Sequence, residues 1–331
     1  LTMATYKGIK GVKVVTKTSD PTASEAAGTV WYNSTGDALK YAINAGGAWA
    51  SANSLGTARY QAAGDGTQTA AYVVGGTTGP TLQKINEQYD GTNWTEAADL
   101  NTARRNLGSF GTPSTALGFG GQTPSITNIT ESWNGSSWTE VGNLNQSRTG
   151  LCGNGAGISN SSGLVAGGTI TPNTDETETW NGTSWTEVAD LNTARESCGV
   201  RGIVTAAIAA GGHDGSVTGK TETWNGTSWT EVADLTTARS AVALGGISTS
   251  AVCMGGESAP PATNLANAET WDGTSWTAAA ALATARGRIV GAGTGNTSAL
   301  AAAGQLVGNA ASNACEEWDD PAYIIKTVTV S

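Results

Sequence analysis

Short apolar runs alternate with turn residues along almost the whole chain. In one kind of run, as at residues 241–245 and 249–254, the side chains are mostly small: Ala, Val, Leu and Cys. The other kind is a pair of aromatic residues around Asn-Gly or Asp-Gly, as between Trp224 and Trp229. Asn-Gly provides the positive φ angles of a tight hairpin turn, and Trp and Thr favour strands. The pattern predicts two successive β-hairpins rather than helices.

The two hairpins recur together as a repeat. An arginine after a small residue occurs at intervals of 45, 44, 47, 44 and 47 residues. These arginines are Arg59, Arg104, Arg148, Arg195, Arg239 and Arg286. A glycine pair follows each arginine, with Ala303-Gly304 as a degraded sixth copy; the intact pairs are Gly75-Gly76, Gly120-Gly121, Gly167-Gly168, Gly211-Gly212 and Gly255-Gly256. The period indicates copies of one supersecondary unit.

Each repeat has four predicted strands, with small side chains in the first pair and aromatic side chains in the second. This arrangement is typical of a propeller blade. One such sheet cannot bury both faces, so neighbouring sheets must stack. We therefore predict an all-β, six-bladed β-propeller of four-stranded antiparallel blades, with seven blades as the alternative. Residues 1–28 are expected to form a short extended arm and residues 29–331 the propeller. Its last blade would be closed by N-terminal strands, with residues 29–49 beside the strands of residues 286–318.

The order arginine, glycine pair, aromatic residue and second Trp resembles the kelch repeat from about Leu39 to Trp318. The first aromatic residue is usually Trp here, whereas the family has Tyr. The last copy has no second Trp after Trp318. The resemblance implies a ring whose last blade contains strands from both chain ends.

A second, weaker resemblance lies near the start of the chain. The segments Tyr6-Lys7-Gly8-Ile9-Lys10-Gly11 and Gly28-Thr29-Val30-Trp31-Tyr32-Asn33 resemble the front of bacteriophage virion proteins, especially tail-fibre and head-decoration components. The near-identity of residues 179–194 and 223–238 also suits a recently duplicated appendage gene. This resemblance implies a structural and adhesive virion component, exposed on the particle and binding a host-surface glycan or protein. A cellular kelch-type interaction module and a carbohydrate-active enzyme are the alternatives.

Charge divides the chain into two parts. The net charge is -10, with +3 in the first twenty residues and -13 in the rest. An acidic body repels nucleic acid and anionic membrane surfaces, so neither is an expected partner. Apolar runs are too short for a membrane helix, so we expect no membrane insertion. The four cysteines stand singly and are interpreted as small buried thiols, with a disulfide or metal role as the alternative.

Candidate catalytic chemistry is sparse. The family's copper oxidase, galactose oxidase, needs two His and two Tyr ligands, and this chain has one histidine, His213. A Ser-His-Asp arrangement would also have to use His213, and no Gly-x-Ser-x-Gly motif precedes it. In four copies an acidic residue follows Trp-Thr in register, which favours a scaffold role; these residues are Glu96, Glu140, Glu187 and Glu231. We therefore expect no enzyme activity, no metal and no cofactor.

The six repeat arginines have two interpretations. A planar guanidinium suits bracing of a loop to backbone carbonyls or to an acid such as Asp190 or Asp234. Alternatively, the arginines form a positive ring at one mouth of the channel that holds a carboxylate or a sialic-acid-like glycan. The sequence favours bracing but leaves both open.

Loops that follow the glycine pairs differ between copies, unlike the scaffold positions. They share one face of the propeller with the links that carry the arginines, because connections alternate between faces in an up-and-down sheet. Variable loops on a rigid scaffold are typical of binding surfaces. The candidate binding face consists of Gln122, Asp175, His213, Asp214, Glu257 and Asn264.

The basic arm is the candidate attachment segment. Its residues Tyr6, Lys7, Lys10 and Lys13 precede a short strand pattern. An extended arm can add itself to a neighbouring sheet, so other virion proteins or a second copy of the chain are expected partners. Packing on its own propeller, with residues 323–330 as the partner strand, is the alternative.

Overall fold

The fold consists of β-strands in four-stranded sheets. The structure is a computed structural model that describes residues 14–21, 29–43, 46–151, 155–259, 263–320 and 324–328. Within these ranges it has 28 strands in seven sheets, and its single helical element is a 3-10 turn at Val307–Asn309. The chain divides into two compact units, residues 48–319 and residues 1–47 with 320–331.

The larger unit contains six sheets, each made almost entirely of consecutive strands. Sheets 1 to 3 consist of β5 (Ala63–Thr67), β6 (Ala70–Val74), β7 (Asn86–Tyr89), β8 (Trp94–Ala97); β9 (Gly108–Gly111), β10 (Ala116–Phe119), β11 (Thr130–Trp133), β12 (Trp138–Glu140); and β13 (Ala156–Ser159), β14 (Ser162–Ala166), β15 (Thr177–Trp180), β16 (Trp185–Glu187). Sheets 4 to 6 consist of β17 (Gly199–Ile203), β18 (Ala206–Ala210), β19 (Thr221–Trp224), β20 (Trp229–Glu231); β21 (Ala243–Ile247), β22 (Ser250–Met254), β23 (Ala268–Trp271), β24 (Trp276–Ala279); and β25 (Val290–Gly295), β26 (Ser298–Ala302), β27 (Cys315–Asp319), β4 (Ala48–Ala52). All pairs in these sheets are antiparallel.

The first strands of these six sheets form a closed series of contacts. β5 contacts β9, β9 contacts β13, and the series continues through β17, β21 and β25 back to β5. Small residues line these strands, so the sheets approach closely on the inside. The wider gaps outside are filled by indoles; Trp180 and Trp185, for example, lie 5.4 Å apart and pack with Phe119 and Val165 of the two facing sheets. This arrangement is that of a β-propeller.

An N-terminal strand completes the sixth sheet. β4 pairs with β27 in the place where other repeats have their own fourth strand, and Trp49 lies opposite Trp318 with ring centroids 5.4 Å apart. The chain enters β4 and leaves β27 at the same end of this sheet, since Ala48 pairs with Asp319.

The smaller unit holds the seventh sheet, which we call the terminal sheet. It consists of β1 (Val15–Lys17), β2 (Val30–Asn33), β3 (Ala38–Ile43) and β28 (Ile324–Thr327) in the order β1-β2-β3-β28. β1 runs parallel to β2, and the other pairs are antiparallel.

The terminal sheet corrects the count of six: the structure has seven four-stranded sheets, which was the alternative. Residues 29–49 were predicted to lie beside the strands of residues 286–318. Trp49 does pair with Trp318, whereas β2 and β3 pair with each other and with β1 and β28. Residues 15–17, which were assigned to the arm, form a strand of this sheet. Asn33 and Trp31 donate hydrogen bonds to Asp20, at 2.7 and 3.3 Å. The repeat pattern predicted neither the terminal sheet nor these polar contacts beside it.

The glycine pairs connect each sheet of the larger unit to the next. Gly212 N donates to the Arg239 carbonyl at 2.9 Å, and the same bond closes the ring from Gly304 N to the Arg59 carbonyl. Gly212 has φ +113°, and a Cβ there would lie 2.7 Å from the Glu196 carbonyl oxygen. Only glycine fits, because both the positive φ and the close approach exclude a side chain. The loops after the glycine pairs and the arginine-bearing links therefore share one face, which we call the loop face.

Candidate functional site

All six repeat arginines are buried and paired with a glutamate of the third strand. Arg195 Nη1 lies 2.6 Å from Glu222 Oε1, and Asn192 donates its backbone and side-chain N–H groups to Glu222 Oε2 at 2.8 and 2.7 Å. The other pairs are Arg59–Glu87, Arg104–Glu131, Arg148–Glu178, Arg239–Glu269 and Arg286–Glu316. These contacts are those of a brace, since a charge-assisted network holds each blade-to-blade link on the next sheet.

Two details of the arginine hypotheses are wrong. Asp190 and Asp234, the suggested acidic partners, instead accept the backbone N–H groups of Thr177 and Thr221 at 3.0 and 3.1 Å. The positive ring at the channel mouth is excluded because all six arginine side chains have 0% exposure. Burial lowers the pKa of Arg104 to about 10, against the opposing effect of Glu131.

Among the described residues, one ion pair crosses the inside of the ring. Arg201 on β17 pairs with Asp65 on β5, donates from Nε to the Leu244 carbonyl at 2.9 Å and also contacts the Gly291 carbonyl. Asp65 in turn accepts the Gly111 N–H of sheet 2 at 3.1 Å. The pair therefore joins sheets 1, 2, 4, 5 and 6 through buried polar contacts.

The inner strands of the two sheets that follow sheet 4 have small residues at the position equivalent to Arg201. Six positions after the repeat arginine, where sheet 4 has Arg201, sheets 5 and 6 have Gly245 and Ala292. Burial raises the pKa of Asp65 to about 6, although Arg201 and two backbone N–H groups oppose the change. The sequence signal was a charged residue in an inner strand of otherwise small side chains, and it was missed.

The channel mouth on the loop face is formed by positions that are structurally equivalent in the six sheets but carry different side chains. In each sheet the residue after the repeat arginine bridges to the residue after the glycine pair, as Glu196 does with His213 and Ser240 with Glu257. The next residue in each link has a positive φ; these are Gln61, Asn106, Gly150, Ser197, Ala241 and Arg288, with φ between 52° and 61°. Backbone hydrogen bonds connect several of them from sheet to sheet, including Ala241 N to the Ser197 carbonyl at 2.7 Å.

These positions enclose a recess of about 270 Å³. Its lining residues are Gln61, Ala62, Asn106, Thr149, Gly150, Glu196, Ser197, His213, Ser240, Ala241, Val242, Glu257, Arg288 and Ile289. Arg288 Nε donates to Glu257 Oε1 at 2.8 Å, and Glu196 accepts a hydrogen bond from the Thr169 hydroxyl. The recess can bind a small polar ligand through side-chain carboxylate, amide, hydroxyl and guanidinium groups.

Two of the six candidate binding residues, His213 and Glu257, line the recess. Gln122 instead accepts from Arg105 Nε at 3.2 Å, and Asn264 donates to the Gln305 carbonyl at 2.7 Å. Asp214 pairs with Lys220 at 3.1 Å.

Asp175, the sixth candidate, has a backbone role, since its carbonyl accepts the Leu191 N–H at 3.0 Å. The arm candidates Tyr6, Lys7, Lys10 and Lys13 lie outside the described residues.

Most of the recess was not predicted, because the candidate binding face was confined to the loops after the glycine pairs. Glu196, Ser197 and Arg288 lie one or two positions after a repeat arginine. These link positions vary between copies as much as the loops do: Tyr60-Gln61, Arg105-Asn106, Thr149-Gly150, Glu196-Ser197, Ser240-Ala241 and Gly287-Arg288. The same criterion of variation between copies would have found them.

Neither a metal-binding cluster nor a membrane-spanning helix occurs among the described residues. They contain no group of three or more His, Cys, Asp or Glu side chains placed to hold a metal ion. They also contain no helix that is long and apolar enough to span a bilayer. The side chains of Cys198, Cys253 and Cys315 are buried, and Cys152 lies outside the described residues.

The fold places the chain in the structural class of β-propellers. A solved structure described as that of YjhT is similar to this chain, with a TM-score of 0.68 at 13% sequence identity. The similarity covers 83% of this chain and 99% of the other. At this identity the likeness shows the fold alone. Comparison with models of known protein families found no match, and neither did comparison with curated proteins.

Proposed function

We propose that this chain is a non-catalytic binding protein that uses the recess of the loop face to hold its ligand. The supporting observation is the convergence of variable residues on one recess. Buried arginine–glutamate pairs, glycine pairs and indoles repeat from sheet to sheet. Equivalent positions of the recess instead differ in chemistry: Gln61 and Arg288 at one, Thr149 and Glu196 at a second, His213 and Glu257 at a third. A rigid ring that presents unlike side chains at one opening is suited to recognition.

We further propose that the repeats are of kelch type and that the protein is an adhesive component of a bacteriophage particle. Support comes from the arginine, glycine-pair and tryptophan order, the near-identical repeats and the opening segment around Tyr6 and Lys7. In this proposal the ligand is a glycan or protein on the host surface, and the basic arm attaches the chain to other virion proteins.

The first test is binding of the fluorescently labelled protein to host cells. Ser197→Arg should abolish binding, because it places a long side chain in the recess at a backbone conformation that Arg288 already adopts in sheet 6, with φ values of 54° at both positions. Ser228→Arg is the matched control at the exposed hairpin tip of the same sheet. Equal binding by the two variants would contradict the role of the recess.

The second test concerns the particle. Antibodies raised against the purified chain should label intact phage particles in electron micrographs. Labelling that is confined to soluble protein in the lysate would rule out the virion role without affecting the recess.

A further inference from the structure

The recess has an uneven distribution of charge. Its titratable side chains are Glu196, His213, Glu257 and Arg288. Arg288 and Glu257 neutralise one another through the 2.8 Å contact. With His213 neutral, Glu196 leaves the recess with a net negative charge, in a chain whose net charge is -10. An anionic ligand would therefore be repelled, whereas a cation would be attracted.

The uncharged polar atoms point to a ligand that donates hydrogen bonds. Gln61 Oε1 and Thr149 Oγ1 are buried at the recess and have no hydrogen-bond partner within the described part of the chain. Two carboxylates and an amide oxygen make the lining rich in acceptors, while the Arg288 guanidinium is already engaged by Glu257. Buried polar atoms in native structures normally have partners, so a bound molecule with several N–H or O–H groups would complete this set.

The shape of the recess limits the ligand further. At about 270 Å³ it lies just below the range of sites that enclose drug-sized molecules, roughly 300–1,000 Å³. Its lining contains no Phe, Tyr or Trp, and the imidazole of His213 is the one ring that it offers. The surrounding backbone is partly occupied by its own ring of hydrogen bonds, which leaves recognition to side chains.

We propose that the recess binds a small ligand with a protonated amine and several hydroxyl groups, the chemistry of an amino sugar. The amine lies against the Glu196 carboxylate, and hydroxyl groups donate to Gln61 Oε1 and Thr149 Oγ1. This inference rests on the proposed binding function and names the ligand class for the same recess. It replaces the sialic-acid-like ligand of the sequence analysis, since the arginines that would have held an acidic sugar are buried.

Calorimetric titration of the full chain at neutral pH with three probes tests the proposal. The probes are the glucosamine disaccharide with free amines, its di-N-acetylated form and N-acetylneuraminic acid. The first two share their ring hydroxyls and differ in charge, so their comparison isolates the amine. We expect the free-amine disaccharide to bind tightest and N-acetylneuraminic acid weakest.

Two charge variants locate the interaction. Glu196→Gln keeps an acceptor for the Thr169 hydroxyl and should weaken binding of the free-amine disaccharide about tenfold or more, with little change for the acetylated form. Glu187→Gln, on the exposed edge strand of sheet 3, is the matched control and should leave all three affinities unchanged. Arg288→Gln frees Glu257 and should tighten binding of the free-amine disaccharide.

The proposal is overturned if N-acetylneuraminic acid binds tightest, if Glu196→Gln acts no more strongly than Glu187→Gln, or if no probe binds. A weaker affinity for the free-amine disaccharide in Arg288→Gln would also contradict it. None of these outcomes tests whether the recess is a binding site. That question is decided separately by the comparison of Ser197→Arg with Ser228→Arg on cells. If Ser197→Arg loses cell binding while no probe binds the full chain, the recess remains the binding site and the amino-sugar ligand class is rejected.

Discussion

Replacement of Arg201 by methionine isolates the ion pair at the centre of the ring. Methionine retains much of the apolar length of the side chain but removes the charge and the donors. In the variant, Asp65 keeps its hydrogen bonds from the backbone N–H groups of Gly66 and Gly111, at 2.6 and 3.1 Å, and loses its cation. Loss of one partner from a buried pair costs about 3–5 kcal/mol of unfolding free energy, because a charge is left uncompensated.

The size of this loss should depend on pH. Burial raises the folded-state pKa of Asp65 from 3.8 to about 6, so protonation favours the folded protein. The stabilising contribution of this raised pKa is complete below pH 3.8 and is lost as the pH rises through about 6. Without Arg201, which opposes the increase, the pKa rises further. We therefore expect Arg201→Met to cost the full amount at about pH 8 and clearly less at about pH 5, where Asp65 becomes protonated.

Guanidinium unfolding followed by tryptophan fluorescence measures the difference between variant and wild type at each pH. Asp65→Asn in the Arg201→Met background should recover most of the loss, because no charge then remains buried. Arg105→Met is the control, since this half-buried arginine contacts Gln122 rather than a carboxylate. A loss below about 1 kcal/mol at pH 8, or no rescue by Asp65→Asn, would refute the reasoning.

Three further predictions concern the repeated scaffold and the thiols. Arg195→Gln leaves Glu222 buried without its cation and should lower the unfolding free energy by about 3–5 kcal/mol in the same assay. Gly182→Ala forces a side chain to φ +96° at a hairpin tip and should cost about 1–3 kcal/mol. In a Cys152→Ser background the native protein should not react with a thiol reagent at about pH 8, because the remaining three cysteines are buried and burial raises the pKa of Cys315 to about 12.

For each of these three predictions, one experimental result would contradict it. If Arg195→Gln lowers the unfolding free energy no more than Arg105→Gln does, the arginine–glutamate pair is dispensable for stability. Unchanged unfolding of Gly182→Ala would show that the turn accommodates a Cβ without strain. Rapid labelling of the Cys152→Ser protein before unfolding would place a cysteine at the surface.

The sequence determined the repeating unit, because local chemistry decides it. Asn-Gly and Asp-Gly tips select tight hairpins, and the arginine, the glycine pair and the tryptophans recur at nearly constant spacing. Four-stranded sheets in a propeller follow from these marks and from the need to bury both faces of each sheet. The face that carries the variable loops also followed, since antiparallel strands alternate direction.

Only the tertiary structure decided which distant residues meet. The four strands of the terminal sheet belong to no repeat, so the sequence pattern did not predict them; they are Val15–Lys17, Val30–Asn33, Ala38–Ile43 and Ile324–Thr327. Their pairing depends on contacts between the two chain ends. Arg201 and Asp65 meet across the ring although they lie 136 positions apart in the chain, and the recess combines residues of links that are far apart in the chain. Local patterns specify hairpins, whereas these contacts arise when the ring closes and brings equivalent positions of different repeats together.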